Sequence, residues 1–223
     1  MDNSRNNTYQ KLADLHPLFS ADAAARQIHG KGDIYGAEIY NLQRILRTLM
    51  ERIEDLRARL RAQDIDPIEH CLGRIKDGES MREKLRLQGF PETTESALTN
   101  VYDAIGVRVV CAFLNDVYMV RDYILAADDI ELIQEKDYIR HAKPNGYRSL
   151  HLIVRVEGRY YVEIQLRTIS MDTWAALEHH MKYKKNLTGN TDLLVSELKR
   201  CADELASTDV SMQTLRDMIR QAQ

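Results

Sequence analysis

Between Tyr35 and about Arg61, apolar residues return at Ile39, Leu42, Leu46, Leu49, Ile53, Leu56 and Leu60. Steps of three and four draw one stripe along a long helix, and such a stripe is read first as core, although its length leaves room for a subunit contact. Farther along, the period changes. Ile105–Phe113 (IGVRVVCAF) is dense in β-branched residues and predicts a buried strand. A short helix is expected over Val117–Ala127, a strand over Ile130–Ile139, and two more strands over Ser149–Val156 and Tyr160–Arg167, joined by Glu157-Gly158-Arg159. The tail returns to helix. Met171–Lys182 carries Trp174, Leu177 and Met181 on one side; after a breaker at Gly189-Asn190, Asp192–Gln223 carries Leu194, Leu198, Cys201 and Leu205, continued less regularly by Met212, Leu215 and Ile219. Ahead of all this, residues 1–34 form a polar start with a short helix expected around Ala21–Ile28 and a breaker at Gly30 and Gly32. Helices with strands between them predict an α/β (α+β) fold, a mixed β-sheet flanked by helices in one structural domain.

The last hairpin fixes its own register. Val162, Ile164 and Leu166 alternate with Tyr161, Glu163, Gln165 and Arg167, and Leu150, Leu152, Val154 and Val156 alternate with His151, Ile153 and Arg155. Apolar face meets apolar face when Val154 lies opposite Val162 and Leu152 opposite Ile164, which makes the connection a three-residue loop. A two-residue turn would set Val154 against Tyr161 and bury charges. In the chosen register His151 faces Gln165 and Ile153 faces Glu163. A polar face this rich on a central hairpin is either solvated or the floor of a site.

Composition narrows the class. Of 223 residues, 44% are hydrophobic and 29% charged, as in an ordinary globular protein, and the formal charge of −3 argues against wrapping along a nucleic-acid backbone. No apolar run approaches the roughly 18 residues that span a bilayer, and Met1–Gln10 lacks the apolar core of a signal peptide. Cys71, Cys111 and Cys201 have no metal-like spacing and read as small buried hydrophobes of a reducing compartment, so a cytoplasmic location is expected. Against this background, Tyr138–Val156 holds Arg140, Lys143, Arg148, Arg155 and two histidines without one acid, and Lys143-Pro144-Asn145-Gly146-Tyr147 presents an aromatic ring beside cations. Ring and cations together suit a purine nucleotide; a solvated basic loop is the plainer reading. A second basic cluster, Arg74, Lys76, Arg82, Lys84 and Arg86, is interrupted by acids and reads by itself as a charged helix surface. Asp103 before a buried strand and Glu163 within one each need a partner, and either a magnesium ion bridging to phosphates or structural salt bridges would supply it.

Four segments, GRIKDGESMREKL, YDAIGVRVVC, KDYIRHAKPNGYRSLHLIV and YVEIQLRTISMDTWAALEHHMKYK, together resemble the synthetase domain of the RelA/SpoT family from about Gly73 to Lys184. The length is similar to that of its single-domain small alarmone synthetases. The resemblance implies a nucleotidyltransferase-like synthetase core at 73–185, between a helical region at 35–72 and a C-terminal helical region at 186–223. It also implies an activity: pyrophosphate transfer from ATP, with magnesium, to the ribose 3′-hydroxyl of GDP or GTP, giving alarmones and AMP. Carried over by position, Arg74 and Arg108 flank the ATP adenine and Lys76 and Lys84 meet its phosphates. Asp103 and Glu163 hold magnesium, with Glu163 also the base for the 3′-hydroxyl. Tyr147 stacks on guanine with Lys143 and Asn145 near its edge, while His151 and Gln165 line the acceptor.

Departures from the family pattern carry their own expectations. No His-Asp dipeptide occurs, so the hydrolase half of the long relatives is not expected. Where regulated small relatives carry an aromatic residue and a threonine for an alarmone site at a tetramer centre, this chain has His70 and Leu72, which argues against product activation while leaving a homotetramer expected. A pyrophosphokinase acting on the 3′ end of tRNA or on adenine nucleotides is the alternative, with Lys184-Lys185 beside His179-His180 as its one possible RNA-facing patch.

Overall fold

The apolar stripe at the start of the chain becomes helix α1, Ile39–Arg61, entered through a single 3-10 turn at Gly36–Glu38. In this computed structural model, which describes residues 34–183 and 191–222, Ile39, Leu42, Ile45, Leu46, Leu49, Ile53 and Leu56 are all buried. The expected helix at Ala21–Ile28, the breakers at Gly30/Gly32 and Gly189-Asn190, and Lys184-Lys185 lie outside the described residues. Strand β1 follows α1 at Ile68–Ile75. It runs through the 72/73 boundary drawn from sequence and was not expected as a strand. Its string IEHCLGRI is half-buried over His70–Gly73 and shows no clean alternation, so periodicity had nothing to register. Gly73 explains how β1 and α1 fit: a Cβ there would stand 2.7 Å from Leu46 Cδ1 and 3.0 Å from Met50 Sδ. Only a residue without a side chain lets α1 press this close.

Next come helix α2, Gly78–Gln88, and the short helix α3, Thr94–Thr99. Both ends of α2 are defined. The Asp77 carboxylate accepts hydrogen bonds from Glu79 N and Ser80 N, each 3.1 Å, and Gly89 adopts φ 75° at the C-terminal end. Met81 and Leu85 are buried on one side of α2, which carries Arg82, Lys84 and Arg86 of the second basic cluster; Arg74 lies on β1 and Lys76 between the two elements.

Strand β2 (Ile105–Cys111), helix α4 (Leu114–Leu125), strands β3 (Ile130–Asp137), β4 (Leu150–Val156) and β5 (Tyr160–Thr168), then helices α5 (Ile169–Tyr183) and α6 (Thr191–Gln221) complete the chain. The five strands order as β1-β2-β5-β4-β3, parallel only between β2 and β5. The sheet is therefore mixed, as expected. The β4–β5 register is the one required by the apolar alternation: Val154 pairs with Val162, Leu152 with Ile164, His151 with Gln165 and Ile153 with Glu163. Its turn places Glu157 at φ 51° and Gly158 at φ 68°, and Arg44 secures Glu157 through two 2.7 Å contacts. Ile105, Val107, Val109, Leu150, Leu152, Val154, Val162, Ile164 and Leu166 are buried with α1 and α4 in one core. Truncating such a residue, as in Leu152→Ala, costs about 2–5 kcal/mol. The opposite face of the sheet is left for polar groups.

The C-terminal helices depart from expectation. Trp174 is buried and donates from Nε1 to Leu198 O at 2.9 Å. Leu177, Met212, Leu215 and Ile219, however, are 56%, 49%, 52% and 61% exposed. The inner line of α6 runs instead through Ala202, Asp209 and Gln213. Polar attachments hold it: Thr168 Oγ1 donates to Asp209 Oδ2 at 2.5 Å, Asn115 N to Gln213 Oε1 at 3.1 Å, and Arg216 to Asp116 at 2.7 Å. Leu194, Leu198, Cys201 and Leu205 are half-buried beside this line, and it is the continuation at Met212, Leu215 and Ile219 that faces out.

Candidate functional site

The polar face of β5 carries Glu163 at its middle, and the residues around it come from five elements. Its Oε1 lies 3.3 Å from His151 Nδ1 on β4, and its Oε2 accepts from Gln165 Nε2 at 3.1 Å. The His151 hydrogen bond holds the Glu163 carboxyl down at about 2 against burial, which pushes it up; Gln165 and the charge of Lys84 help. Glu163 is thus an anion throughout the physiological range. Such a group serves readily as a metal ligand, and as a proton acceptor it depends on orientation rather than on proton affinity.

On one side of Glu163 stands a charge cluster. Asp103, just ahead of β2, receives Lys84 Nζ of α2 at 2.7 Å and Lys76 Nζ at 3.2 Å, both on Oδ2. Its other oxygen, Oδ1, is buried and has no hydrogen-bond partner. The salt-bridge reading of Asp103 therefore holds for one oxygen. The second is an orphaned hard donor, the chemistry a divalent cation takes. With Glu163 ionised nearby, the two carboxylates fit such an ion if substrate oxygens complete its shell; the described residues contain no cluster of three or more acidic, histidine or cysteine ligands. Arg74 of β1 lies across Gly106, where a Cβ would meet its Cγ and Nε at 3.6 Å. Arg108, two positions along β2, has its guanidinium pKa lowered by burial and by neighbouring Arg167, and its Nη1 sits 3.4 Å from Asp172 Oδ1.

On the other side stands an aromatic cluster. Lys143 Nζ lies 4.6 Å from the Tyr138 ring centre and 4.8 Å from that of Tyr147. Tyr147 Oη lies 2.8 Å from His151 Nε2 and accepts from Arg167 Nη2 at 2.9 Å. Asn145 works within the loop: its Oδ1 accepts from Tyr147 N at 3.2 Å and its Nδ2 donates to Glu178 Oε1 at 3.3 Å. A cleft of about 220 Å³ opens here, lined by Gln134, Lys136, Tyr138, Lys143, His151, Ile153 and Glu163. Tyr147 stands just behind that lining.

The basic stretch 138–156 does not act as one cationic patch. Arg140, Arg148 and Arg155 are paired with Asp137, Asp203 and Glu131; among the described residues Lys143 alone of its cations lacks a carboxylate partner. Two residues of the polar face were given no site role from sequence. Arg167, 4% exposed, continues the alternation of Tyr161, Glu163 and Gln165, and Lys136 pairs directly with His151 across β3 and β4. Asp172, which gathers Arg167, Arg108 and His70 at 2.9, 3.4 and 3.9 Å, carried no sequence signal of its own.

Comparison with known proteins accounts for this assembly. Residues 73–188 match the region found in RelA/SpoT proteins. The chain belongs to the RelA/SpoT family. Two relatives from Bacillus subtilis are named GTP pyrophosphokinases: YwaC is 43% identical over 62% of this chain and 69% of its own length, and YjbM 32% identical over 81% and 91%. The fold is also that of solved RelA/SpoT relatives. Small alarmone synthetase 2 from B. subtilis superposes with TM-score 0.71 at 34% identity, covering 81% of this chain and 97% of its own. Small alarmone synthetase 1, solved with its product pppGpp, gives 0.69 at 29% identity, covering 80% and 94%.

Proposed function

We propose that this RelA/SpoT protein is a GTP/GDP pyrophosphokinase that moves the β,γ-pyrophosphate of ATP to the ribose 3′-hydroxyl of GDP or GTP, releasing AMP. The observation that carries the reading is the position of Glu163, an ionised carboxylate between a lysine–aspartate cluster and an aromatic, histidine-bearing cleft. Arg74 and Arg108 flank the adenine, and Lys76 and Lys84 turn from Asp103 to the ATP phosphates. Tyr147, with Lys143 and Asn145 around it, receives the guanine; His151 and Gln165 line the acceptor. The 3′-oxygen attacks the β-phosphorus in line, the bond to the α,β-bridging oxygen breaks, and the 3′-proton passes to Glu163. Asp103 and Glu163 would hold magnesium, which when bound neutralises phosphate charge. Transfer of this kind depends on positioning and charge more than on a strong nucleophile.

The test is direct. Purified protein, γ-labelled ATP and GMP, GDP or GTP in turn should give AMP and a labelled guanosine carrying three, four or five phosphates respectively. Absence of transfer to any of the three overturns the reading, and transfer to tRNA or adenine nucleotides instead would install the alternative, which no described residue favours. We further propose that the chain has synthetase activity without hydrolase activity and is a cytoplasmic homotetramer. No helix among the described residues is long and apolar enough to cross a membrane. The exposed Met212, Leu215, Met218 and Ile219 on α6 offer apolar surface for association, to be checked by light scattering. With His70 and Leu72 in place of an aromatic ring and a hydroxyl, added pentaphosphate should leave the initial rate unchanged.

A further inference from the structure

Four side chains between the acceptor loop and Glu163 form a hydrogen-bond chain whose two ends have fixed roles. Arg167 has donors only, and its Nη2 reaches Tyr147 Oη at 2.9 Å. Ionised Glu163 has acceptors only, and its Oε1 lies 3.3 Å from His151 Nδ1. The link between these ends is Tyr147 Oη to His151 Nε2, 2.8 Å. Tyr147 accepts from Arg167, so its own proton is free to go to Nε2. Nδ1 carries the proton given to Glu163, whether Nε2 accepts from the Tyr147 hydroxyl or donates to its second lone pair. A bare Nδ1 would press its lone pair against a carboxylate oxygen. The sheet builds the chain: His151 faces Gln165, which places it diagonally beside Glu163 on the polar face. Gln165 closes it by donating to Glu163 Oε2 at 3.1 Å and accepting from Arg167 Nη2 at 3.0 Å.

We propose that the Tyr147 hydroxyl and His151 are positioning residues for Glu163: the hydroxyl holds the His151 ring through Nε2, and the Nδ1–H fixes the carboxylate with its remaining lone pairs toward the cleft. The inference rests on the pyrophosphokinase reading for its consequence, and on the hydrogen-bond geometry for its existence. It gives Tyr147 a second task. Its ring meets the acceptor base, while its hydroxyl ties the acceptor loop to the group that receives the 3′-proton, so displacement of the loop releases the carboxylate.

Two measurements test it. In ¹⁵N-imidazole spectra of the ligand-free protein, the resonances lost in His151→Gln identify His151, whose Nδ1 should carry a proton. Tyr147→Phe keeps the ring and should shift the Nε2 resonance of His151 while Nδ1 stays protonated; a bare Nδ1 in the wild type overturns the proposal. In kinetics, Tyr147→Phe should lower kcat about tenfold while the acceptor KM moves less than about twofold, the loss of one hydrogen bond felt in the transition state. An unchanged kcat, or a loss confined to KM, overturns it. His151→Asn, whose amide can stand where Nδ1–H does, should retain several-fold more kcat than His151→Ala; equal losses count against the chain. The spectra need no substrate. A wild type inactive toward guanine nucleotides therefore overturns the functional reading, while the proton on Nδ1 still decides whether the chain exists.

Discussion

The two sides of Glu163 solve different problems with different chemistry. The side formed by Lys76, Lys84 and Asp103 is made of point charges, with two ammoniums converging on one carboxylate oxygen at 3.2 and 2.7 Å. Ammoniums on flexible stems can exchange one anion for another at little geometric cost, which suits phosphates that arrive and leave. The side formed by Lys143, Tyr147, His151 and Arg167 is made of rings and directional hydrogen bonds, and it is braced from behind. Gly146 at φ 90° sits so close to α6 that a Cβ would lie 2.6 Å from Ala202 Cβ, and Arg148 donates to Asp203 at 2.9 Å. One side neutralises; the other aims. Catalysis by positioning needs both, but the second is far less tolerant of displacement.

The sharpest break of this contrast is at its centre. Asp103→Asn and Glu163→Gln should each leave less than about a tenth of wild-type kcat, a barrier increase above roughly 1.4 kcal/mol. The double variant should be little worse than either single one, because both act on one charge arrangement. Additive losses in steady-state assays would show that the two carboxylates work independently.

A paired substitution separates the sides. Lys84→Met should raise the ATP KM about tenfold through the loss of a charge-assisted contact, with the acceptor KM nearly constant. Tyr147→Ala should do the reverse, since a base–aromatic stack contributes on the order of 1–3 kcal/mol. If each variant shifts both KM values equally, the division into two half-sites is wrong.

Bracing predicts a smaller effect. Asp203→Ala removes an ion pair that solvent screens, so the acceptor KM should rise about two- to fivefold while the ATP KM and the melting temperature hold. An effect on ATP instead would mean that α6 does not act through the acceptor loop.

The smallest effect concerns stability. Burial raises the Asp209 carboxyl above its ordinary value, with Thr168 and Ser170 lowering it in part. A carboxyl with a raised folded pKa opposes folding above that pKa, and the penalty fades as pH falls toward and below the unfolded value. Asp209→Asn should accordingly melt at or slightly above the wild-type temperature at pH 7 to 8, and the gap should close on acidification. A variant much less stable at neutral pH would show that the charge is needed to receive Thr168.

Much of the site was legible wherever a period was clean. Strict alternation on β4 and β5 sets Glu163 beside His151 and Gln165 and puts Arg167 on the same face, but does not show that Arg167 reaches Tyr147 and Asp172. It was silent on β1, where burial is intermediate on both faces. Asn145 and Tyr147 could be marked as site residues, but not the way Asn145 is spent on the turn beneath Tyr147 and on Glu178.

By itself, then, the chain's local pattern determined the helix α1, the β4–β5 register, the location of the polar face and the two carboxylates that needed partners. Those are consequences of period and of the cost of burying charge, both readable over a few residues. Tertiary structure alone decided which cations stay available, because the acids that pair with Arg148 and Arg108 stand 55 and 64 positions away as Asp203 and Asp172. It also decided that the end of α6 docks through Asp209, Gln213 and Arg216 with Met212, Leu215 and Ile219 facing out. A hydrogen bond or ion pair depends on the meeting of two specific groups, and separation along the chain does not encode which groups the fold brings within 3 Å.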